Sequence, residues 1–319
     1  MAKAGGNTMK KLTTLLLTIT LLFCACSTNV SQSDNGTGDR QYTIYSDVTD
    51  SEAKSQKVYK SVISSNIKLD NASNKDFSIN KKIETRIPDT TKERSITIAN
   101  KSFDMKLIRS YKTSISTSSM GKTNSIGQYD YYRFEGENGD NVEVEFTQET
   151  NRLTFFIVYG EKRTVESGNF TKELAKQEAD SIIAELYGEN STSKYAYEET
   201  FENNSQSSKG FSVLYQRYLY GYKTDETILI KFNRSGDLIS INAERIDTFN
   251  GADALFSKKD VQSAQNALLG TLHDSWTSIS EPELTVGSDG NYYLSVFTAR
   301  ESSSDNTEPS TNIFYININ

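Results

Sequence analysis

FTKELAKQEADSIIAELYG at residues 170–188 and FSKKDVQSAQNALLGTLHD at residues 256–274 open alike and carry similar apolar spacing. Phe170, Thr171 and Lys172 align with Phe256, Ser257 and Lys258. Thr171 and Ser257 are N-cap candidates, because a hydroxyl there accepts from a free N–H of the first turn. Phe170 and Phe256 stand where a hydrophobic staple packs onto that turn. Ala175, Ala179, Ile182, Ile183 and Leu186 make one stripe, and Val261, Ala264, Leu268, Leu269 and Leu272 another. Two helices follow from this spacing, each with one face for a sheet. Gly188 ends the first, and His273 and Asp274 follow the second.

Outward from the helices the period changes to two. Tyr195 to Phe201, Phe211 to Leu219, Thr227 to Phe232 and Leu238 to Ile246 alternate as strands, with turns expected at Lys223 to Glu226 and Asn233 to Gly236. After the second helix come Ser275 to Val286, a turn at Gly287 to Asn291, Tyr292 to Ala299 and Asn312 to Ile318. Upstream, Ser95 to Ile98, Phe103 to Tyr111, Tyr129 to Glu135, Asn141 to Phe146 and Leu153 to Tyr159 read as a β-meander, with turns at Gly136 to Asp140 and Glu149 to Arg152. Thr113 to Gln128 reads as a polar loop, and Asp50 to Ile63 as a short helix with Ala53, Tyr59, Val62 and Ile63 inward.

The pattern Tyr218, Gly221, Asp225, Ile228, Ile230, Phe232, Asn233, Gly236, Leu238, Ser240, Ile241 resembles that of PepSY domains. The resemblance covers roughly residues 169–319 and implies a helix packed on a short antiparallel sheet, with no chemistry of its own. The expected fold class is therefore α+β: antiparallel sheets each packed by a helix, as PepSY-like tandem units after a β-rich N-terminal region. The expected division is a leader at 1–25, a tether at 26–40, the β-rich region at 41–168, and units at 169–250 and 251–319.

Lys10 and Lys11 precede an apolar run from Leu12 to Phe23, which is about a dozen residues where a spanning helix needs about twenty. Ala25 and Ser27 flank Cys26. That order reads as a cleaved secretory signal, and it resembles the bacterial lipobox, with Phe23 where Leu is usual. The resemblance implies cleavage before Cys26, lipidation of Cys26, palmitate among its acyl chains, and a place on the extracytoplasmic face of the cell membrane. Ser27 to Asp39 is rich in Ser, Asn, Gly and Asp and reads as a flexible tether.

Net charge is −7, and a leader removed before Cys26 takes three lysines with it. An acidic chain without basic blocks has no electrostatic support for binding nucleic acid. The two cysteines are Cys24, lost with the leader, and Cys26, so the mature fold is expected to hold no disulfide. His273 is the single histidine and suits a helix end. Ser78 to Lys81 and Ser119 to Lys122 match Ser-x-x-Lys without its companion motifs. Glu143 and Glu145 alternate with Val142, Val144 and Phe146, as on a solvated strand face. Asp289, Gly290 and Asn291 fit a hairpin turn and lack the ligand spacing of a calcium loop. No enzyme activity, metal or cofactor is expected.

Two tyrosine clusters remain: Tyr129, Tyr131 and Tyr132, and Tyr215, Tyr218, Tyr220 and Tyr222. Tyrosine joins contact area to a polar tip, which suits a binding face, and it also pairs across strands without any ligand. Tyr215, Tyr218, Tyr220 and Tyr222 are the candidate binding residues. The expected function is that of a non-catalytic surface lipoprotein that binds or restrains a cell-envelope protein or peptide. The alternatives are a solute- or glycan-binding lipoprotein and a hydrolase of unrecognised type.

Overall fold

The two helices form where the periodicity puts them. In the computed structural model, α1 spans Lys172–Tyr187 and α2 spans Lys258–Thr271. The Thr171 hydroxyl accepts from the Leu174 N–H, while Ser257 and Asp260 close a reciprocal capping box. Gly188 ends α1 with φ 91° and donates to the Ala184 carbonyl. Phe170 and Phe256 pack on strands: Phe170 lies 5.5 Å from Phe232, and Phe256 lies 5.1 Å from Tyr292, ring centre to ring centre.

The structure describes residues 40–46, 58–60, 64–72, 84–86, 92–113, 116–118, 121–123, 127–136, 141–160, 168–188, 191–205, 208–274, 276, 278–287, 289–300 and 310–318. The expected leader, Cys26, the tether and most of the expected helix at 50–63 lie outside these residues. Met1–Arg40 and Gln41–Asn319 separate as two units.

Within Gln41–Asn319 the described strands are β1 (Tyr42–Ser46), β2 (Ile67–Asn71), β3 (Glu84–Arg86), β4 (Glu93–Ile98), β5 (Lys101–Thr113), β6 (Ser116–Ser118), β7 (Gly121–Thr123), β8 (Gly127–Glu135), β9 (Asn141–Thr147), β10 (Leu153–Val158), β11 (Tyr195–Ser205), β12 (Ser208–Leu219), β13 (Tyr222–Asn233), β14 (Leu238–Glu244), β15 (Ser278–Ile279), β16 (Glu283–Val286), β17 (Tyr292–Arg300) and β18 (Ser310–Asn317). β6 and β7 pair as a small hairpin inside the stretch expected to be a loop.

The expected α+β class of helix-packed tandem units is corrected. The protein is predominantly β, and 16 of its described strands join in one mixed sheet. The main path runs β2-β1-β18-β17-β16-β13-β14-β10-β9-β8-β5-β3, with β11 and β12 branching from β13. The join is short and parallel, with Lys223 opposite Glu283 and Thr224 opposite Leu284. Paired residues share a face, so the apolar rows of both halves, Ile228 and Ile230 in one and Leu284 and Leu294 in the other, lie on the same side. Two adjacent cores result on that side, one containing Ile182, Ile183 and Phe156, the other Leu268, Trp276 and Phe314.

The join explains a second correction, at Lys223 to Glu226. These residues were expected to turn and instead begin β13; the turn is Tyr220–Gly221, with φ 56° and 90°. Such positive angles at both central residues suit a tight hairpin. Tyr220 is held there by its hydroxyl, which donates to the Phe256 carbonyl at 2.9 Å, and Tyr222 donates to Gln265 on α2 at 2.5 Å. Asp225 and Glu226 are buried in strand because each meets an arginine. Arg245 bonds Asp225, the Thr285 hydroxyl at 3.0 Å and the Val286 carbonyl at 2.6 Å. Arg217 reaches both Glu226 oxygens at 2.9 Å and the Phe249 carbonyl at 2.8 Å.

Candidate functional site

Four turns and strand ends meet at one edge of the first core and leave a cleft of about 470 Å³. The β13–β14 turn supplies one wall. Asn233, fully buried, accepts from the Ser235 and Asp237 N–H groups at 2.9 Å each, which fixes Gly236 at φ 90°. A Cβ on Gly236 would sit 2.7 Å from the Phe170 ring, so only glycine fits. The β4–β5 hairpin supplies the facing wall through its Ala99–Asn100 turn, both residues with positive φ.

Phe156, Val142 and Phe232 form the buried lining, and Phe103, Phe134, Val158 and Leu238 are half-buried around it. Phe103 meets Phe134 edge-on at 5.7 Å, an arrangement the ring quadrupole favours. At the mouth Lys101 pairs with Asp237 at 3.2 Å, and Glu178 of α1 also lines the cleft. Apolar walls with a few polar groups at the entrance are the usual form of a small-ligand site.

A second, polar hollow of about 300 Å³ lies over β5, β8, β9, β10 and β14. Here the alternation of β8 and β9 brings Tyr129, Tyr131, Glu143 and Glu145 together, and Tyr132 turns inward against Phe146 at 6.0 Å. The groups in this hollow satisfy one another. Glu143 accepts from Tyr131, from Tyr159 at 2.8 Å and from Arg133 at 2.7 Å. Burial pushes its carboxyl up, but those three donors outweigh burial and hold it below the usual carboxylate range. Burial, then the Glu143 carboxylate, pushes the Tyr131 hydroxyl up. Arg109 lies 4.6 Å from the Tyr131 ring centre, and Tyr111 stacks on Tyr129 at 5.5 Å, so ring faces are already occupied. A carboxylate so thoroughly bonded is a fixed anion and a poor proton donor.

Three of the four expected binding tyrosines belong to the two cores, and the fourth, Tyr218, lies on the surface. Tyr215 is buried beneath α1, with its hydroxyl on Asp180 at 2.7 Å; burial, then Asp180, pushes that hydroxyl up. Tyr220 and Tyr222 pack against the second core. Tyr218 is exposed and donates to Glu198 at 2.6 Å. His273 follows α2 and donates its backbone N–H to Val58. Among the described residues no group of three or more His, Cys, Asp or Glu side chains is placed to hold a metal, and no helix is long and apolar enough to cross a membrane.

Sequence spacing does not reveal the aromatic cleft, because its residues come from eight separate elements. Their one shared signal is phenylalanine at strand ends beside turns.

No protein-family model and no curated protein matches the chain. Among solved structures it is similar to the Bacillus megaterium YpeB C-terminal domain, at 10% identity and a TM-score of 0.32, covering 83% of this chain and 98% of that one. A likeness so loose carries no argument about fold or function.

Proposed function

We propose that this protein is a non-catalytic, membrane-anchored surface lipoprotein that binds an apolar segment of a cell-envelope peptide or protein in the aromatic cleft. The observation that carries the reading is the cleft itself, whose volume of about 470 Å³ falls in the range of roughly 300–1,000 Å³ typical of small-ligand sites. The lipobox-like run ending in Ala25 and Cys26 supports the anchor and the envelope as its place of work. The saturated Glu143 supports the absence of acid–base chemistry on the tyrosine-rich hollow.

Ala99 stands at the mouth of the cleft on a turn, where a large side chain would occupy the void. The test is calorimetric titration of the full chain with the capped peptide acetyl-Phe-Phe-amide. The parent is expected to bind and Ala99→Trp to lose binding while keeping its far-UV circular dichroism spectrum, at some cost in stability because Ala99 has a φ of 50°. Equal binding by both would remove the cleft from the proposal. For the anchor, Cys26→Ser is expected to move the protein from the membrane to the soluble fraction of its host. Continued membrane association would count against lipidation.

A further inference from the structure

Lys101 and Asp237 pair 3.2 Å apart at the mouth of the cleft. Both are partly open to water, with side chains 58% and 35% exposed. A pair of that kind contributes little to stability and gives way readily. Immediately behind it the walls are apolar, formed by Phe103, Phe134, Phe156 and Leu238.

Resting on the reading of the cleft as a binding site, we infer that its ligand is a short apolar peptide with both ends free, whose carboxylate pairs with Lys101 and whose ammonium pairs with Asp237 while its side chains fill the aromatic void. The charge at the mouth argues for this class. A fatty anion would pair with Lys101 and leave Asp237 to its bond from the Asn233 amide at 3.1 Å and to water, and an apolar amine would pair with Asp237 and leave Lys101 to water. A neutral apolar ligand would cover both charges and offer them nothing. Only a ligand with both charges exchanges one ion pair for two.

The experiment is calorimetric titration of the full chain with Phe-Phe, acetyl-Phe-Phe, Phe-Phe-amide and acetyl-Phe-Phe-amide. Free Phe-Phe is expected to bind about tenfold more tightly than either singly blocked form, a difference of about 1.4 kcal/mol. Asp237→Asn is expected to abolish the preference for a free amino end and keep that for a free carboxylate. Lys101→Met is expected to do the opposite. Each variant thus controls for the folding of the other. Equal affinity for all four peptides would overturn the inference and leave the apolar cleft standing. Absence of binding by all four, the fully capped peptide included, would overturn the cleft as a peptide site and this inference with it.

Discussion

Asp225 and Glu226 are neighbours in sequence and point to opposite sides of β13, each closed by its own arginine, Arg245 and Arg217. The four side chains are nearly water-free, at 7%, 0%, 1% and 9% exposure respectively. Removing one member leaves a charge stranded in a low-dielectric place, which costs about 3–5 kcal/mol. Arg245→Ala and Arg217→Ala are each expected to lose about that much in urea unfolding. The double change Asp225→Leu with Arg245→Met is expected to lose less than Arg245→Ala alone. A loss under about 1 kcal/mol for either alanine variant would contradict the burial of the pair.

Stability is expected to fall in acid through Glu143 and Asp130. Burial pushes the Asp130 carboxyl up, but Lys92, Ser110 and Gln148 outweigh it and hold it below the usual range, as happens at Glu143. Both groups therefore bind a proton more weakly folded than unfolded. Their contribution is complete above the ordinary carboxylate pKa and disappears as pH falls through the depressed folded values. Urea midpoints measured from about pH 6 down to about pH 2 are expected to decline, and Glu143→Gln with Asp130→Asn to flatten that decline. An unchanged slope in the double variant would refute the assignment.

Gly236 and Gly221 share a φ of 90° and differ in their surroundings. Alanine at Gly221 meets nothing within 4 Å, whereas at Gly236 it collides with Phe170. Both changes carry the backbone cost, and Gly236→Ala adds overpacking of about 1–3 kcal/mol. Thermal unfolding should rank Gly236→Ala well below Gly221→Ala, and equal melting temperatures would show that Phe170 moves aside freely.

The matched helix starts predict matched penalties. Thr171→Ala and Ser257→Ala are each expected to cost about 1 kcal/mol by chemical denaturation. Ser257→Ala should cost the more, because it also dismantles the contact with Asp260. Reversal of that order would mean that the reciprocal cap adds nothing.

Local features were legible because they obey short-range rules. The helix bounds, the Gly188 end and the Asn233–Gly236 turn follow from hydroxyl caps, period and positive φ within a few residues. The single sheet was not legible, since it depends on two parallel partners, Thr224 and Leu284, about sixty residues apart in a chain where every strand alternates alike. Charge misled at Lys223 to Glu226: a run that reads as solvent-facing is buried because Arg217, Arg245 and Glu198 come from elsewhere to meet it. Tyr215, Tyr220 and Tyr222 look like a recognition face for a related reason, because α1, α2 and the Phe256 carbonyl just before α2 supply acceptors that sequence spacing does not reveal.

The first strand, β1, lies antiparallel against the last, β18, with Ile44 opposite Ile316. The chain thus enters β1 and leaves β18 side by side, so that among the described residues a short linker would join the two strands into a loop. Opened elsewhere at an exposed turn, the same sequence in rotated order should still reach its native arrangement, and the whole sheet can be inserted into a host protein as a cassette whose entry and exit strands sit next to each other.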